Sequence, residues 1–218
     1  MGTDTGTSMS TRPDTRGFNA ELRDGRRVRV RLITPADKSG LAAGLARMSP
    51  RSRYLRFHRM VERLSNDELR YLTELDMRDH FAWVAVSLDE PGQPGIGVIR
   101  YVRDAADRRA AEMAITIVDD WQRVGLGRLL LETLLVSAMM NGIEWLRAIV
   151  LPEDEAALRL FRGVGGRPGG GEGGALIVDI PVSSPGRTLL ASAPHQALQP
   201  GVGAAALHRT RTSTEVRS

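Results

Sequence analysis

The residues whose types and spacing are best suited to a chemical role lie between positions 118 and 131. There an apolar run is followed by a polar turn and by a predicted helix that begins with glycines. Gly125 and Gly127 stand at the start of the predicted helix, with Arg123 and Arg128 on either side. The first N–H groups of a helix lack partners inside it and carry partial positive charge, so they attract anions. Because glycine has no Cβ, a phosphate can approach such a helix end closely. The segment therefore predicts a cradle for a pyrophosphate.

Several kinds of phosphate loop begin a helix, and residue spacing separates them. A Walker-type loop needs a lysine directly after its last glycine, but the only lysine of this chain is Lys38, far from the loop. A dinucleotide-binding loop needs a third glycine and an acid about 20 residues further on, where this chain has Leu130 and Trp145. The spacing excludes the first kind and disfavours the second. If this segment stood alone, an ordinary helix start with small residues for close packing would be the favoured interpretation.

The elements that must position this loop are predicted from hydrophobic periodicity. Strands are predicted at residues 28–32, 81–88, 96–102, 110–118, 145–151 and 175–180. Helices are predicted after Thr34-Pro35, over 51–57, behind a Ser65–Glu68 capping box, from 126 to 138 and over 154–162. This order predicts one α/β (α+β) domain with a mixed sheet. A folded domain over residues 17–182 is expected, with disordered tails at 1–16 and 183–218.

Composition limits the classes of function. The chain has 218 residues and no cysteine, which excludes disulfides, thiolate metal sites and a cysteine nucleophile. Its four histidines lack metal-ligand spacing, so no metal site is expected. The net charge is only +4, and 30 basic residues less one lysine leave 29 arginines, so the pI of 10.2 reflects arginine usage and predicts no nucleic-acid partner. Without a long apolar run or a signal-peptide core, no membrane partner and a cytoplasmic location are expected.

Short sequence motifs outside the loop narrow the choice of protein family. They are Arg53-Tyr54-Leu55-Arg56-Phe57, Leu69-x-x-Leu72-Thr73-x-Leu75-Asp76, Arg100-Tyr101-Val102-Arg103, Ala111-Glu112-Met113-Ala114 and Val150-Leu151-Pro152-Glu153. With Gln122-x-x-Gly125-x-Gly127, they resemble the GNAT superfamily of N-acetyltransferases, in particular the catalytic domain of bacterial protein lysine acetyltransferases. The resemblance implies the GNAT fold, a mostly antiparallel twisted sheet flanked by helices, in which a splayed strand pair holds acyl-CoA. Some similar proteins carry a fused regulatory module, whereas this sequence is expected to correspond to the stand-alone catalytic domain.

The same resemblance implies roles for particular residues. Glu112, on the strand before the loop, would be the base for the attacking amine, which is an ammonium at neutral pH because its pKa is about 10.4. Alternatively, Glu112 has no catalytic role and is a solvent-exposed residue at the end of its strand, paired to Arg108 or Arg109. The residues implied to bind the cofactor are Ile117 and Val118, through a main chain left unpaired by the splay, and Gln122, Arg123, Val124, Gly125, Leu126, Gly127, Arg128 and Asp154.

Two positions depart from the family pattern. Phe161 stands where many GNAT enzymes have a tyrosine that protonates the departing thiolate, so water would have to supply this proton. Asp154 stands where an asparagine commonly contacts the cofactor, and its charge disfavours the phosphates unless Arg159 or Arg162 screens it.

The function expected from these residues is transfer of an acetyl group from acetyl-CoA to a primary amine in a ternary complex. By resemblance, a protein lysine is the preferred acceptor. A small-molecule amine as acceptor, or a non-catalytic acyl-CoA sensor, remains an alternative. The sequence leaves open whether the protein forms a homodimer.

Overall fold

An eight-stranded sheet organises the protein in the computed structural model, which describes residues 17–171 and 173–182. The strands are β1 (Gly17–Glu21), β2 (Arg27–Leu32), β3 (His80–Ser87), β4 (Gly95–Arg103), β5 (Ala110–Ile117), β6 (Trp145–Val150), β7 (Arg167–Pro168) and β8 (Leu176–Pro181). Their order in the sheet is β1-β2-β3-β4-β5-β6-β8-β7, and every neighbouring pair is antiparallel except β5 with β6. The predicted mixed, mostly antiparallel sheet flanked by helices is confirmed. The tails expected at 1–16 and 183–218 lie outside the described residues.

Five helices accompany the sheet in the described ranges: α1 (Lys38–Ala46), α2 (Pro50–Phe57), α3 (Asn66–Thr73), α4 (Leu126–Met140) and α5 (Glu155–Arg162). The predicted capping box of α3 is confirmed, since Ser65 Oγ accepts from Glu68 N–H and Glu68 Oε2 accepts from Ser65 N–H. Two short strands, β1 and β7, were not predicted. In β1 only Phe18 is buried, and β7 has two residues, so neither strand shows a clear alternation of apolar and polar residues.

Helix α4 is fixed against one face of the sheet by close packing. A Cβ on Gly97 of β4 would lie 3.1 Å from Leu130 Cδ1 and 3.4 Å from Leu126 Cδ2, so the glycine lets α4 approach the strand. Trp83 Nε1 on β3 donates a hydrogen bond of 2.9 Å to Ser137 Oγ on α4. These contacts determine where the N-terminus of α4 lies relative to the strands.

A gap opens between β5 and β6 beyond Glu112. The parallel pairing joins only Ala110 to Trp145, Ala111 to Leu146 and Glu112 to Arg147, although β5 continues to Ile117. Strand β6 pairs along its whole length with β8 on its other side. The splayed strand pair implied by the resemblance is therefore present, and Glu112 lies at its fork.

Residues 17–171 and 173–182 include the five helices α1–α5. No helix there combines the length and apolar character needed to cross a membrane. In the same residues no group of three or more His, Cys, Asp or Glu side chains is arranged to hold a metal ion. The cytoplasmic location and the homodimer stay predictions.

Candidate functional site

The loop before α4 leads into a helix whose first backbone N–H groups precede its first internal hydrogen bond. Arg123 and Gly125 have φ angles of 62° and 102°, in the left-handed region that glycine adopts without steric cost. The first backbone bond of the helix runs from Leu129 N–H to Gly125 O at 3.1 Å. The N–H groups of Leu126, Gly127 and Arg128 therefore have no acceptor within the helix. Together with the helix dipole, they make this end a site for an anion.

Gly127 lets α4 lie close to its neighbours at the mouth of the gap. A Cβ on Gly127 would be 3.3 Å from Ile117 Cδ1 on β5 and 3.3 Å from Leu160 Cδ2 on α5. Such contacts are tighter than ordinary van der Waals packing, so the glycine has a steric role in addition to its place in the loop. The loop, β5 and α5 thus meet at one point.

The main chain of Val118 has partners within the chain, contrary to the prediction. Its N–H donates to Ile96 O at 3.1 Å, and its carbonyl accepts from Trp121 N–H at 3.0 Å because the chain turns there through a short 3-10 helix, Asp119–Trp121. The expectation that the Val118 main chain is unpaired is wrong. The carbonyl of Ile117 also has a partner, since Gln122 Nε2 donates to it at 3.1 Å. Gln122 accordingly holds the loop against the end of β5.

Other backbone groups of β5 face the gap. Directions alternate along a strand, and Val118 N–H points toward β4 whereas Arg109 O accepts from Trp145 N–H of β6. By this alternation the N–H and C=O groups of Met113, Ile115 and Ile117 point toward β6. Because the pairing with β6 ends at Glu112, these groups border the gap.

Glu112 is exposed at the fork of the two strands. It is not paired with either arginine suggested from the sequence: Arg108 pairs with Asp79, and Arg109 pairs with Asp107 and Glu144. Its charged neighbour is Arg56 on α2. Burial lowers the pKa of Arg56, and the Glu112 carboxylate partly offsets this shift.

Helix α2 is tied to the end of β5 and to the loop by three contacts that the sequence did not predict. Arg56 Nε donates to Thr116 Oγ1 at 2.9 Å, and Ser49 N–H donates to Asp119 Oδ2 at 3.1 Å. Gln122 Nε2 lies 3.5 Å from Ser52 Oγ. Burial opposes the shift, but hydrogen bonds from Ser49 and Ser52 hold the pKa of Asp119 below its usual range. These residues join elements far apart in sequence, so no local pattern could have signalled them.

Arg23 is a second unpredicted neighbour of the loop. Its side-chain Cγ lies 3.6 Å from the position that a Cβ on Gly125 would take, and its N–H donates to Val124 O at 3.4 Å. The residue belongs to the turn between β1 and β2, which the sequence did not associate with the loop. It adds a cation to those of Arg123 and Arg128 near the start of α4, where Arg128 Nε pairs with Glu132 Oε1 at 2.8 Å.

On helix α5, the ion pairing around Asp154 differs from the screening considered in the sequence analysis. Asp154 Oδ1 accepts from Ala157 N–H at 3.0 Å and caps α5. Arg159 does not screen Asp154, because it pairs with Glu155 at 2.9 Å. Phe161 is 2% exposed and belongs to the hydrophobic core, so its ring packs and supplies no proton.

Comparison with known proteins gives the same interpretation as the geometry. Residues 49–165 match the model of the Acetyltransferase (GNAT) family. Acetyltransferase Pat of Mycolicibacterium smegmatis is 32% identical over 145 residues, which are 66% of this chain and 43% of Pat. Acetyltransferase PA5475 of Pseudomonas aeruginosa is 30% identical over 141 residues, 65% of this chain and 73% of that protein.

Solved structures agree with the fold. The crystal structure of the GNAT domain of S. lividans PAT has a TM-score of 0.71 and 28% sequence identity, and the match covers 78% of this chain and 99% of that domain. A cAMP-binding acyltransferase from Mycobacterium smegmatis has a TM-score of 0.58 at 26% identity, covering 83% of this chain and 51% of the larger protein. The chain thus spans less than half of Pat and about half of the cAMP-binding acyltransferase. Since the family model matches more than half of its length, this protein belongs to the GNAT family of acetyltransferases.

Proposed function

We propose that this protein transfers an acetyl group from acetyl-CoA directly to a primary amine, with a protein lysine as the preferred acceptor. The observation that carries the proposal is the gap between β5 and β6, which has Glu112 at its fork and the start of α4 at its mouth. The donor is supported by family membership. The lysine acceptor is supported by the resemblance of residues 53–57 and 111–114 to bacterial protein lysine acetyltransferases.

The pyrophosphate of the donor would be bound mainly by main chain. The N–H groups of Leu126, Gly127 and Arg128 would donate to it, and Arg23 and Arg123 would add charge. The pantetheine arm would then lie along β5, bonded to the backbone groups of Met113, Ile115 and Ile117 that border the gap. One of these N–H groups would also stabilise the thioester oxygen as it becomes an oxyanion. Val118, Gln122, Val124 and Gly125 would shape the loop, and Asp154 would cap the α5 wall.

Glu112 would act as the general base. An amine with a pKa of about 10.4 must lose a proton before it can attack, and an exposed carboxylate at the fork can take that proton and pass it to water. The amine nitrogen then forms a C–N bond with the thioester carbon, and the C–S bond breaks. Removing such a base costs about 10²- to 10⁴-fold in rate.

The departing thiolate would be protonated by water. Phe161 is buried, and the hydroxyl of Tyr101 donates to Arg78 O and accepts from Asn141 Nδ2. Burial raises the pKa of Tyr101 to about 12, which makes it a weak proton donor. A thiol with a pKa of about 8.5 has a stable thiolate, so departure does not depend on a protein acid.

Thiol release tests the proposal. Wild-type protein with acetyl-CoA should release coenzyme A thiol only when an amine is present. Glu112→Gln should lose about 10²- to 10⁴-fold of this rate yet bind acetyl-CoA in calorimetry with unchanged affinity. The matched control is Glu144→Gln, an exposed glutamate whose pair with Arg109 is 3.9 Å long, and it should keep the wild-type rate. A fully active Glu112→Gln would overturn the assignment of the base.

The acceptor is tested separately. Incubation of the protein with labelled acetyl-CoA and a cell lysate should place label in protein bands. Label found only in small molecules, such as polyamines or amino acids, would instead support the small-molecule alternative.

A second candidate function is a non-catalytic acyl-CoA sensor. The observation that favours it is the buried Phe161 in place of a tyrosine acid. It requires acetyl-CoA binding without thiol release for any amine. Turnover with any amine would exclude it.

A further inference from the structure

A cavity lies on the face of the sheet that carries Glu112, between helices α1–α3 and strands β3–β5. Its volume is about 250 Å³, roughly the space of eight water molecules. Most of its wall is apolar, and the side chains that form it include Leu41, Leu45, Phe57, Leu72, Val84 and Val98. The cavity also reaches Thr116 of β5, the strand whose edge borders the gap.

The charges that line this cavity do not balance. They belong to Arg31, Asp37, Arg56 and Arg100, that is, three cations and one anion. Arg31 and Asp37 form an ion pair of 2.6 Å, which leaves the two positive charges of Arg56 and Arg100.

Both of these guanidinium groups have only neutral hydrogen-bond partners among the described residues. Arg56 Nε donates to the hydroxyl of Thr116 at 2.9 Å. Arg100, which is 6% exposed, donates to Leu72 O at 2.7 Å and to His80 Nε2 at 3.2 Å. Since a guanidinium cannot accept, the His80 nitrogen must be the acceptor and is unprotonated.

Arg100 is buried and Arg56 is half-buried, and two like charges that are both partly removed from water are unfavourable unless an anion joins them. Burial and the nearby charge of Arg56 lower the pKa of Arg100 to about 10, which leaves Arg100 charged at neutral pH. Arg56 is taken as charged because an arginine guanidinium is not deprotonated in proteins. Glu112 acts on Arg56 from the exposed fork and does not line the cavity. The cavity therefore combines a mostly apolar wall with two positive charges, those of Arg56 and Arg100, which favour binding of an anion.

We propose that this cavity binds the carboxylate-ended part of a substrate, with its short carbon chain against the apolar wall and its carboxylate paired with Arg56 and Arg100. This inference rests on the proposed transfer of an acyl group to an amine at the same site, and it adds a substrate carboxylate that neither an acetyl group nor a lysine side chain carries. The carboxylate can come from two sources. It is either the far end of a dicarboxylic acyl group on coenzyme A or the acid group of an amino acid that serves as amine acceptor.

Two matched pairs of substrates distinguish the sources. In the acceptor arm, 6-aminohexanoate is compared with 6-aminohexanamide, both with acetyl-CoA as donor. In the donor arm, succinyl-CoA is compared with butyryl-CoA, which has the same number of acyl carbons and no carboxylate, with one neutral amine as acceptor. We expect at least a tenfold higher kcat/KM for the carboxylate member in one arm, and that arm identifies the source. Equal kcat/KM within both pairs would overturn the proposal without any need for a variant.

The substitution Arg56→Gln should abolish the preference between acid and neutral substrate. The control Arg51→Gln changes an exposed arginine of the same helix that does not line the cavity, and it should keep the preference. A preference that survives Arg56→Gln would contradict the assigned pairing.

Binding without turnover separates this inference from the proposed reaction. Glutarate should raise the melting temperature of the coenzyme A complex of the wild type, and glutaramide should not. If no amine supports thiol release but this shift is seen and is lost in Arg56→Gln, the cavity assignment stands and the proposed reaction fails. If thiol is released but acid and amide act alike, the reaction stands and the cavity assignment fails.

Discussion

The two sides of strand β5 differ in the groups that they offer to a ligand. On the side of the gap, the loop before α4 and the edge of β5 offer main-chain N–H groups, brought together within residues 113–128. On the face toward α2, the cavity and the proposed base rely on side chains from separate elements, namely Arg56, Arg100 and Glu112. Backbone N–H donors remain when a residue is substituted, whereas a single substitution removes the charge of a side chain. Under the proposals made above, the gap would bind the acyl donor, and the helical face would select the acceptor amine or the acyl group.

This contrast has consequences for mutation. On the gap side, substitutions should act through steric exclusion, because the donors are backbone groups. On the cavity side, they should act through charge and through the stability of helices α1–α3. The following predictions test this division.

The largest effect is expected on the gap side, from Gly127→Val. A Cβ already lies 3.3 Å from Ile117 Cδ1 and Leu160 Cδ2, and two further methyl groups would push these side chains into the space beside the loop. Acetyl-CoA binding should weaken about 100-fold or more, by loss of about 3 kcal/mol. Calorimetry measures this directly. Gly127→Ala is the graded control, and because its neighbours are flexible side-chain ends it should lose at most about tenfold. If Gly127→Val binds as the wild type does, the gap side does not depend on close packing.

On the cavity side, the pH dependence of stability should depend on His80. Burial and the charge of Arg100 lower the pKa of His80 from 6.5 to about 4 in the folded protein. The unfolded state therefore takes up the proton first, so stability is complete above pH 6.5 and is lost as the pH falls toward 4. Since His80 is only half-buried, the loss should be about 1–2 kcal/mol after allowance for solvent screening.

The comparison uses urea unfolding of the wild type and His80→Gln at pH 7.5 and pH 4.5. The wild type should lose about 1–2 kcal/mol more than the variant between these pH values, because glutamine can accept from Arg100 without titrating. Parallel losses would contradict the assignment of this pH dependence to His80.

A smaller effect is expected from the cap of α3, which supports the cavity through Leu72. Ser65→Ala removes the hydroxyl that accepts from Glu68 N–H and should cost about 1 kcal/mol, or about 2–4 °C in melting temperature. Acetyl-CoA affinity should not change, because the gap lies on the other side of β5. Ser65→Thr keeps an oxygen at the cap and is the matched control. A large loss of affinity in Ser65→Ala would show that the two sides are coupled.

The smallest effect is expected from Arg23→Gln on the gap side. The side chain is exposed beside Gly125, so its charge adds to that of the helix end but is screened by water and salt. The dissociation constant for acetyl-CoA should rise about threefold at low salt, and the difference should shrink at high salt. Arg63→Gln, an exposed arginine between α2 and α3, should leave affinity unchanged at both salt concentrations. A salt-independent change for Arg23→Gln would indicate a steric cause.

The difference between the two sides also explains what the sequence could predict. The strand, turn and glycines of the loop are contiguous, so the sequence alone predicts an anion cradle in the segment that ends at Arg128. The capping box at Ser65 and the alternation that puts Glu112 and Thr116 on one face are equally local. The gap, which opens where the parallel pairing of β5 with β6 ends, followed from the family resemblance and the order of the elements.

What the sequence did not predict depends on contacts between distant segments. The placement of Arg23 beside Gly125 and of Arg56 beside Thr116 has no local signal. The paired main chain of Val118 was missed for a different reason. The resemblance transferred an unpaired backbone to this position, but the chain leaves the strand there and turns, so Ile96 O and Trp121 N–H take up the groups of Val118.

The central claim is that the gap beside β5 binds the donor while Glu112 at its fork faces the acceptor. A crystal structure of this protein with coenzyme A bound tests it most directly. We expect pyrophosphate oxygens at about 2.7–3.2 Å from the N–H groups of Leu126, Gly127 and Arg128, and the pantetheine arm between β5 and β6 with its sulfur directed toward Glu112. Coenzyme A bound outside the gap, or a sulfur directed away from Glu112, would contradict the account.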